Sequence, residues 1–338
     1  MEETKKKKGL VWILSVLISY VVLSIGETIG LFTISIPINI SGFISYIQNI
    51  DPTDFGAMLD GLEKLLMGGF NNSPFLETLL MYLPTIGTWI SGVIFMVIKP
   101  NRPILKAIGG KCRGNNLLNL LFGLLIGAGM NAVCILAAWL NGNIVLRFDS
   151  VQILPLIVIF IAVFIQSSSE ELICRGILYQ LLGRRYKPWF AIVINSLFFA
   201  LLHIANPGVG ILAIIDIFVC GLVFSLMVYY FDSIWCAFAA HAAWNFTQNI
   251  IFGLPNSGLL SDFSIFKLNR LSASNTFAYN VEFGVEGTVL AILVEAVVGL
   301  VIFLWGRKYA KKPTDIWGEK DTPVQHELVF EEENITSI

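Results

Sequence analysis

Apolar runs, each near the length that carries a helix across a bilayer, recur along this 338-residue chain. A hydrocarbon core about 30 Å thick takes about 20 helical residues, and inside it the backbone must satisfy its own hydrogen bonds. Eight such runs are read here, over residues 10–34, 78–98, 116–140, 152–182, 188–206, 209–231, 233–253 and 287–306. With 56% hydrophobic and only 14% charged residues, the chain is too apolar for an ordinary soluble domain. The expected fold class is all-α, a polytopic membrane protein of about eight transmembrane helices.

The basic residues are clustered, and their positions report orientation. The first run follows Lys5 to Lys8 and is too long for a secretory h-region, so it reads as a signal-anchor. With the N-terminus inside, the connections carrying Lys99, Arg102, Lys106, Lys111 and Arg113, then Arg184, Arg185 and Lys187, then Arg307, Lys308, Lys311 and Lys312 also fall inside. The opposite side carries only Lys64, Arg147, Lys267 and Arg270, which places both termini in the cytoplasm.

This orientation divides the chain into a basic N-terminus (1–9), N-terminal helices (10–151) with an outer connection at 35–77, and a helical core (152–253). A second outer connection and the last helix (254–306) follow, then an acidic cytoplasmic tail (307–338) whose last 26 residues, from Pro313 on and including His326, are expected to be flexible. The outer connections read as surface-lying or partly re-entrant. A net charge of −2 gives no field that would recruit nucleic acid. The five cysteines have no zinc-like spacing and read as packing residues.

Against this background the stretch SSSEELICR, Ser167 to Arg175, stands out, because it places three ionisable groups in a run still in progress. Charges held in hydrocarbon are costly and usually face a cavity, a partner or a substrate path. On a helix Glu171 and Arg175 share a face in the favourable order, while Glu170 points about 100° away. Glu171 is then held ionised by Arg175, and Glu170 is free to accept a proton. Counting from the basic turn at 184–187 puts Glu170 and His203 about 21 and 24 Å deep, and His241 and Asn245 share a face of the next-but-one helix within reach of the same level.

Glu170 as general base, His203 as a second acid/base or water-orienting group, and His241 with Asn245 as donors to an oxyanion make a peptide-hydrolysis set. Ser167 to Ser169 lack a GxSxG turn and are expected to bond the preceding helical turn. Asp216 and Glu27 are single candidates for proton or ion sites without an identifiable partner. Repeat halves and paired broken helices, which a transporter would show, are not evident.

The series Glu170-Glu171-x-x-x-Arg175, Phe199-x-x-x-His203 and His241-x-x-x-Asn245 resembles the three motifs of the CPBP intramembrane proteases. That group includes the type II CAAX prenyl endopeptidases and bacterial bacteriocin-processing or immunity proteins. The resemblance implies a multi-helix fold with an intramembrane cavity open to the cytoplasm. It implies that Glu170 and His203 activate water, that His241 and Asn245 stabilise the tetrahedral oxyanion, and that Glu171, Arg175 and Phe199 organise the site.

Two chemistries stay open, a metal-free glutamate hydrolase and a zinc site held by Glu170, His203 and His241, with Asn245 an uncommon zinc ligand. The expected function is an endopeptidase acting on a peptide or membrane-protein substrate, and its rival is a non-catalytic immunity or regulatory scaffold that binds a peptide in the same cavity. The expected location is a bacterial plasma membrane. Oligomeric state is not encoded in these features.

Overall fold

The computed structural model describes residues 2–67, 69–70 and 73–318. The architecture is largely helical. Helix α1 (Glu2–Gly30) runs through a π turn at Leu31–Ser35 into α2 (Ile36–Ile47), and α3 (Phe55–Met67) follows. Helices α4 (Pro74–Tyr82) and α5 (Ile86–Val97) are joined by one 3-10 turn, and the short α6 (Ile104–Ile108) leads to α7 (Leu117–Leu140). Helix α8 (Ile153–Glu171) passes through a π segment, Leu172–Leu178, into α9 (Tyr179–Gly183). Then come α10 (Pro188–Leu202), α11 (Ile211–Tyr230), α12 (Ile234–Asn245) with a second π segment at Phe246–Ile251, and α13 (Val289–Tyr309).

Local sequence explains several of these boundaries. Asn116, Ser233 and Thr288 accept hydrogen bonds from Asn119, Cys236 and Ala291 backbone N–H groups at the starts of α7, α12 and α13. Each satisfies one of the donors that a helix start leaves without a partner. Pro74 and Pro188 open α4 and α10, where a missing N–H costs nothing.

Among the described residues, six helices are long and apolar enough to cross a membrane: Val11–Ile47, Pro74–Val97, Leu117–Leu140, Ile153–Gly183, Ile211–Tyr230 and Val289–Tyr309. The other two expected spans are helical but differ in character. Helix α10 has 15 residues, short of the usual length. Helix α12 is polar for a span, and every one of its residues except Trp235 is buried. It is wrapped by neighbouring helices, so its composition answers to protein packing and not to lipid.

The first span also departs from its expected end at residue 34, because the helix continues to Ile47 and is 37 residues long. At 1.5 Å per residue it reaches about 55 Å, well beyond a hydrocarbon core. Part of the connection read at 35–77 is therefore regular helix.

Close approach of helices rests on small residues. A Cβ on Gly26 would lie 2.3 Å from Thr88 Cα, and one on Gly30 1.8 Å from the Pro84 carbonyl oxygen, which locks α1 against α4–α5. Gly127 of α7 meets α12 in the same way, 1.9 Å from the Ala240 carbonyl oxygen. Backbones in direct contact are a recurrent solution where no water drives helices together.

The connection after α12 is folded, and it contributes one strand of a two-stranded sheet, a departure from an all-helical chain. Strand β1 (Leu146–Phe148) pairs antiparallel with β2 (Phe266–Leu268), with Leu146 opposite Leu268. Tyr279, Phe283 and Val285 are fully buried in this connection, so it packs as part of the core and not as a surface loop. At the other end of the helices the segment 310–318 straps back over the basic turns. Thr314 donates its backbone N–H and its hydroxyl to Asp232 at 3.0 and 2.6 Å, and Arg184 stacks on Trp317. The start of the acidic tail, read as flexible from 313 onward, is thus docked as far as residue 318; His326 lies outside the described residues.

Candidate active site

Glu170 and Glu171 occupy the last turn of α8, just before the helix widens into its π segment. Arg175, within that segment, donates Nη1–H to Glu171 Oε1 at 2.9 Å, and both side chains are fully buried. Its guanidinium also donates to the Gly221 carbonyl at 2.8 Å and lies over the Phe199 ring, 4.6 Å from its centroid. Ser225 continues the network from Arg175 to Asn195 of α10. This assigns Glu171, Arg175 and Phe199 to one packed, charge-neutral block behind the cavity.

Glu170 faces the other way. Its side chain keeps 23% exposure, and Gln166 donates to its Oε1, while Oε2 is buried with no hydrogen-bond partner. His203, one residue past the end of α10, holds its Nδ1 2.8 Å from the Phe199 carbonyl oxygen. A carbonyl only accepts, so Nδ1 carries a proton, and in the neutral form of His203 the lone pair is at Nε2. That atom is 4.0 Å from Glu170 Oε2.

The same logic fixes His241. Its Nδ1 is 3.1 Å from Glu171 Oε1, so with Glu171 ionised Nδ1 donates, and its Nε2 lies 3.8 Å from Glu170 Oε2. Phe224 stacks on the imidazole with ring centroids 5.3 Å apart. Two imidazole Nε2 atoms and one orphan carboxylate oxygen therefore converge.

Asn245, one turn beyond His241, donates to Gln166 Oε1 at 3.3 Å and Ser167 Oγ at 3.1 Å, and accepts from Asn256 at 3.2 Å. Ser168 and Ser169 bond the carbonyls of Ile165 and Gln166, as their helical position suggests. Glu170, His203, His241 and Asn245 all line one cavity of about 220 Å³, together with Glu27 of α1.

The cavity is closed in part by Asn206, Asn256, Ser257 and Leu259. These belong to the connections at the ends of α10 and α12 away from the basic turns, whereas the expected opening lay on the side of those turns. Glu286 fixes this closure. Its carboxylate accepts from Trp244 Nε1 and Asn256 Nδ2 at 2.8 and 3.0 Å and from the Ser257 backbone N–H at 2.6 Å. Burial pushes the Glu286 carboxyl above its ordinary value, against the opposing effect of those donors.

Sequence reasoning passed over Gln166, Asn256, Glu286 and Glu295. Only Glu295 carried a usable signal, a carboxylate inside an apolar run. Asp216, read as lacking a partner, borders a small second pocket with Glu286 and Glu295, and accepts from the Gly287 backbone N–H at 3.1 Å.

A zinc ion would suit this donor set in kind, since metal-binding imidazoles commonly donate their second N–H to a carboxylate or carbonyl. Yet no group of three or more His, Cys, Asp or Glu side chains among the described residues stands as a metal-ligand set.

Residues 152–247 match the model of the family described as type II CAAX prenyl endopeptidase Rce1-like. The matched part runs from the residue before α8 into the second π segment and contains all seven residues of the three motifs. No curated protein and no solved structure shows a significant match to the chain.

Proposed function

We propose that this chain is an intramembrane endopeptidase in which Glu170 activates water against a peptide bond. The observation that carries the reading is the pair of acceptors Glu170 Oε2 and His203 Nε2, 4.0 Å apart in a cavity wall. A water about 2.8 Å from each would subtend an angle of about 90°, close to its own bond angle. Both its protons are then held by acceptors, and its lone pairs face the space where a substrate carbonyl would sit.

Attack transfers one proton to Glu170, which returns it to the leaving amine. Asn245 supplies the oxyanion contact by exchanging its long 3.3 Å bond to Gln166 for the developing charge. His241, positioned by Glu171, joins as a donor once it holds a proton at Nε2.

The basic turns and both termini are placed in the cytoplasm, with α10 and α12 completing eight crossings. In that orientation the site lies in the outer half of the membrane, beneath connections on the far side. Exported or membrane-associated peptides are the substrates this placement favours, and a bacterial plasma membrane is the location that suits it.

The test is cleavage of a quenched peptide library by purified protein in detergent, with and without chelator and beside metal analysis. Activity that survives chelation and disappears in folded Glu170→Gln and His203→Ala supports the mechanism. Wild-type rates in both variants overturn it, and stoichiometric zinc lost together with activity replaces it with a metallopeptidase.

A further inference from the structure

Glu27 is a carboxylate within the membrane span Val11–Ile47, and the hydrolytic assignment leaves it without a task. It lines the same cavity as Glu170, His203, His241 and Asn245. Its neighbours Gly26 and Gly30 press α1 onto Thr88 and Pro84, so the backbone that carries Glu27 has no freedom to withdraw it. It has no hydrogen-bond or ion-pair partner among the described residues.

Among the described residues the cavity wall contains two carboxylates and no Lys or Arg. The nearest cation of the motifs, Arg175, is fully buried behind the wall and already paired with Glu171. A carboxylate within a span is costly unless it faces a cavity or a counter-charge, and Glu27 has the first without the second. An acidic ligand would add a third negative charge to the same space, and a neutral one would leave Glu27 unpaired. A ligand ammonium or guanidinium would offset both carboxylates.

We propose that Glu27 selects peptides with a cationic group, a Lys or Arg side chain or a free amine, close to the bond placed at Glu170. This deepens the endopeptidase reading and rests on it. Glu27 acts here as a specificity residue and takes no part in proton transfer.

The experiment uses quenched peptides of one length that carry Lys, Gln or Glu at each position flanking the scissile bond. They are presented to the wild type, Glu27→Gln and Glu27→Lys in detergent, and the readout is the ratio of kcat/KM for Lys over Glu peptides. That ratio is internal to each preparation, so a loss of folded protein cancels. One partly shielded ion pair corresponds to about a tenfold preference. The wild type is expected to favour Lys at one position by at least that factor, Glu27→Gln to level the ratio, and Glu27→Lys to invert it.

Binding of the same peptides to Glu170→Gln, followed by fluorescence anisotropy, separates the two claims. Cleavage without a basic preference, or with one that Glu27→Gln leaves unmoved, overturns the role of Glu27 and leaves the peptidase standing. Selective binding of Lys peptides that depends on Glu27, with no cleavage by the wild type, supports the cationic selection and overturns the peptidase reading.

Discussion

Breaking the Arg175–Glu171 pair should show that the charge-neutral block behind the cavity is a single energetic unit. Both side chains are fully buried and their Nη1–Oε1 distance is 2.9 Å. At an effective dielectric near 20 the gross attraction at this distance is about 6 kcal/mol. Desolvation of two buried ions offsets much of that, so the pair's net worth is small. Removing one partner leaves the other charge unpaired, which costs about 3–5 kcal/mol. Arg175→Gln and Glu171→Gln are each expected to destabilise the folded protein by that amount, in thermal or denaturant unfolding in detergent. The double variant leaves no buried charge and should cost about as much as either single change, a coupling of about 3–5 kcal/mol. Single penalties below about 1 kcal/mol, or additivity within about 0.5 kcal/mol, would refute the claim that Arg175 exists to neutralise Glu171.

Three other outcomes follow from the packing. Gly127→Val should destabilise by about 1–3 kcal/mol and also suppress cleavage, because the added carbon strikes the Ala240 carbonyl next to His241; unaltered melting would contradict the α7–α12 contact. Cys112 is buried under the 310–318 strap, and burial with Asp232 nearby pushes its thiol up to about 12. It should resist maleimide at pH 7.5 and become reactive in Asp232→Ala, which removes the acceptor of Thr314. The raised Glu286 carboxyl means the folded state binds its proton more tightly than the unfolded state. Its stability contribution is therefore full below about 4.5 and is lost as pH rises through the higher folded value. Glu286→Gln should flatten that part of the stability–pH curve relative to the wild type, and superimposable curves would count against it.

The membrane character and most helix positions were legible because the apolar runs of α7, α8, α11 and α13 face lipid over much of their surface, and lipid imposes one rule on composition. Glu170, Glu171, Arg175, His203 and His241 were legible because a charge or imidazole in such a run needs a reason, Asn245 was legible by its i, i+4 spacing from His241, and Phe199 came only from the family resemblance. Helix α12 shows the limit of that rule. Its alanines, His241 and Asn245 fit a site enclosed by other helices, and composition alone cannot distinguish enclosure from a weak span. Gln166 and Asn256 gave no signal, since an amide near a helix end or in a loop is ordinary until a neighbour arrives.

The sequence by itself determined that this chain is a polytopic helical membrane protein and which of its residues are chemically exceptional. Local spacing also determined the Glu171–Arg175 pair, because residues four apart on a helix meet whatever surrounds them. Only the tertiary structure decided that the Nε2 atoms of His203 and His241 come within 4.0 Å of one oxygen of Glu170. That orientation comes from the Phe199 carbonyl and the Glu171 carboxylate. Only the tertiary structure placed Glu27 on the same cavity, some 140 residues away in sequence. Convergence of this kind depends on helix-to-helix contacts at Gly26, Gly30 and Gly127, and such contacts are made between segments, where no single stretch of sequence records them.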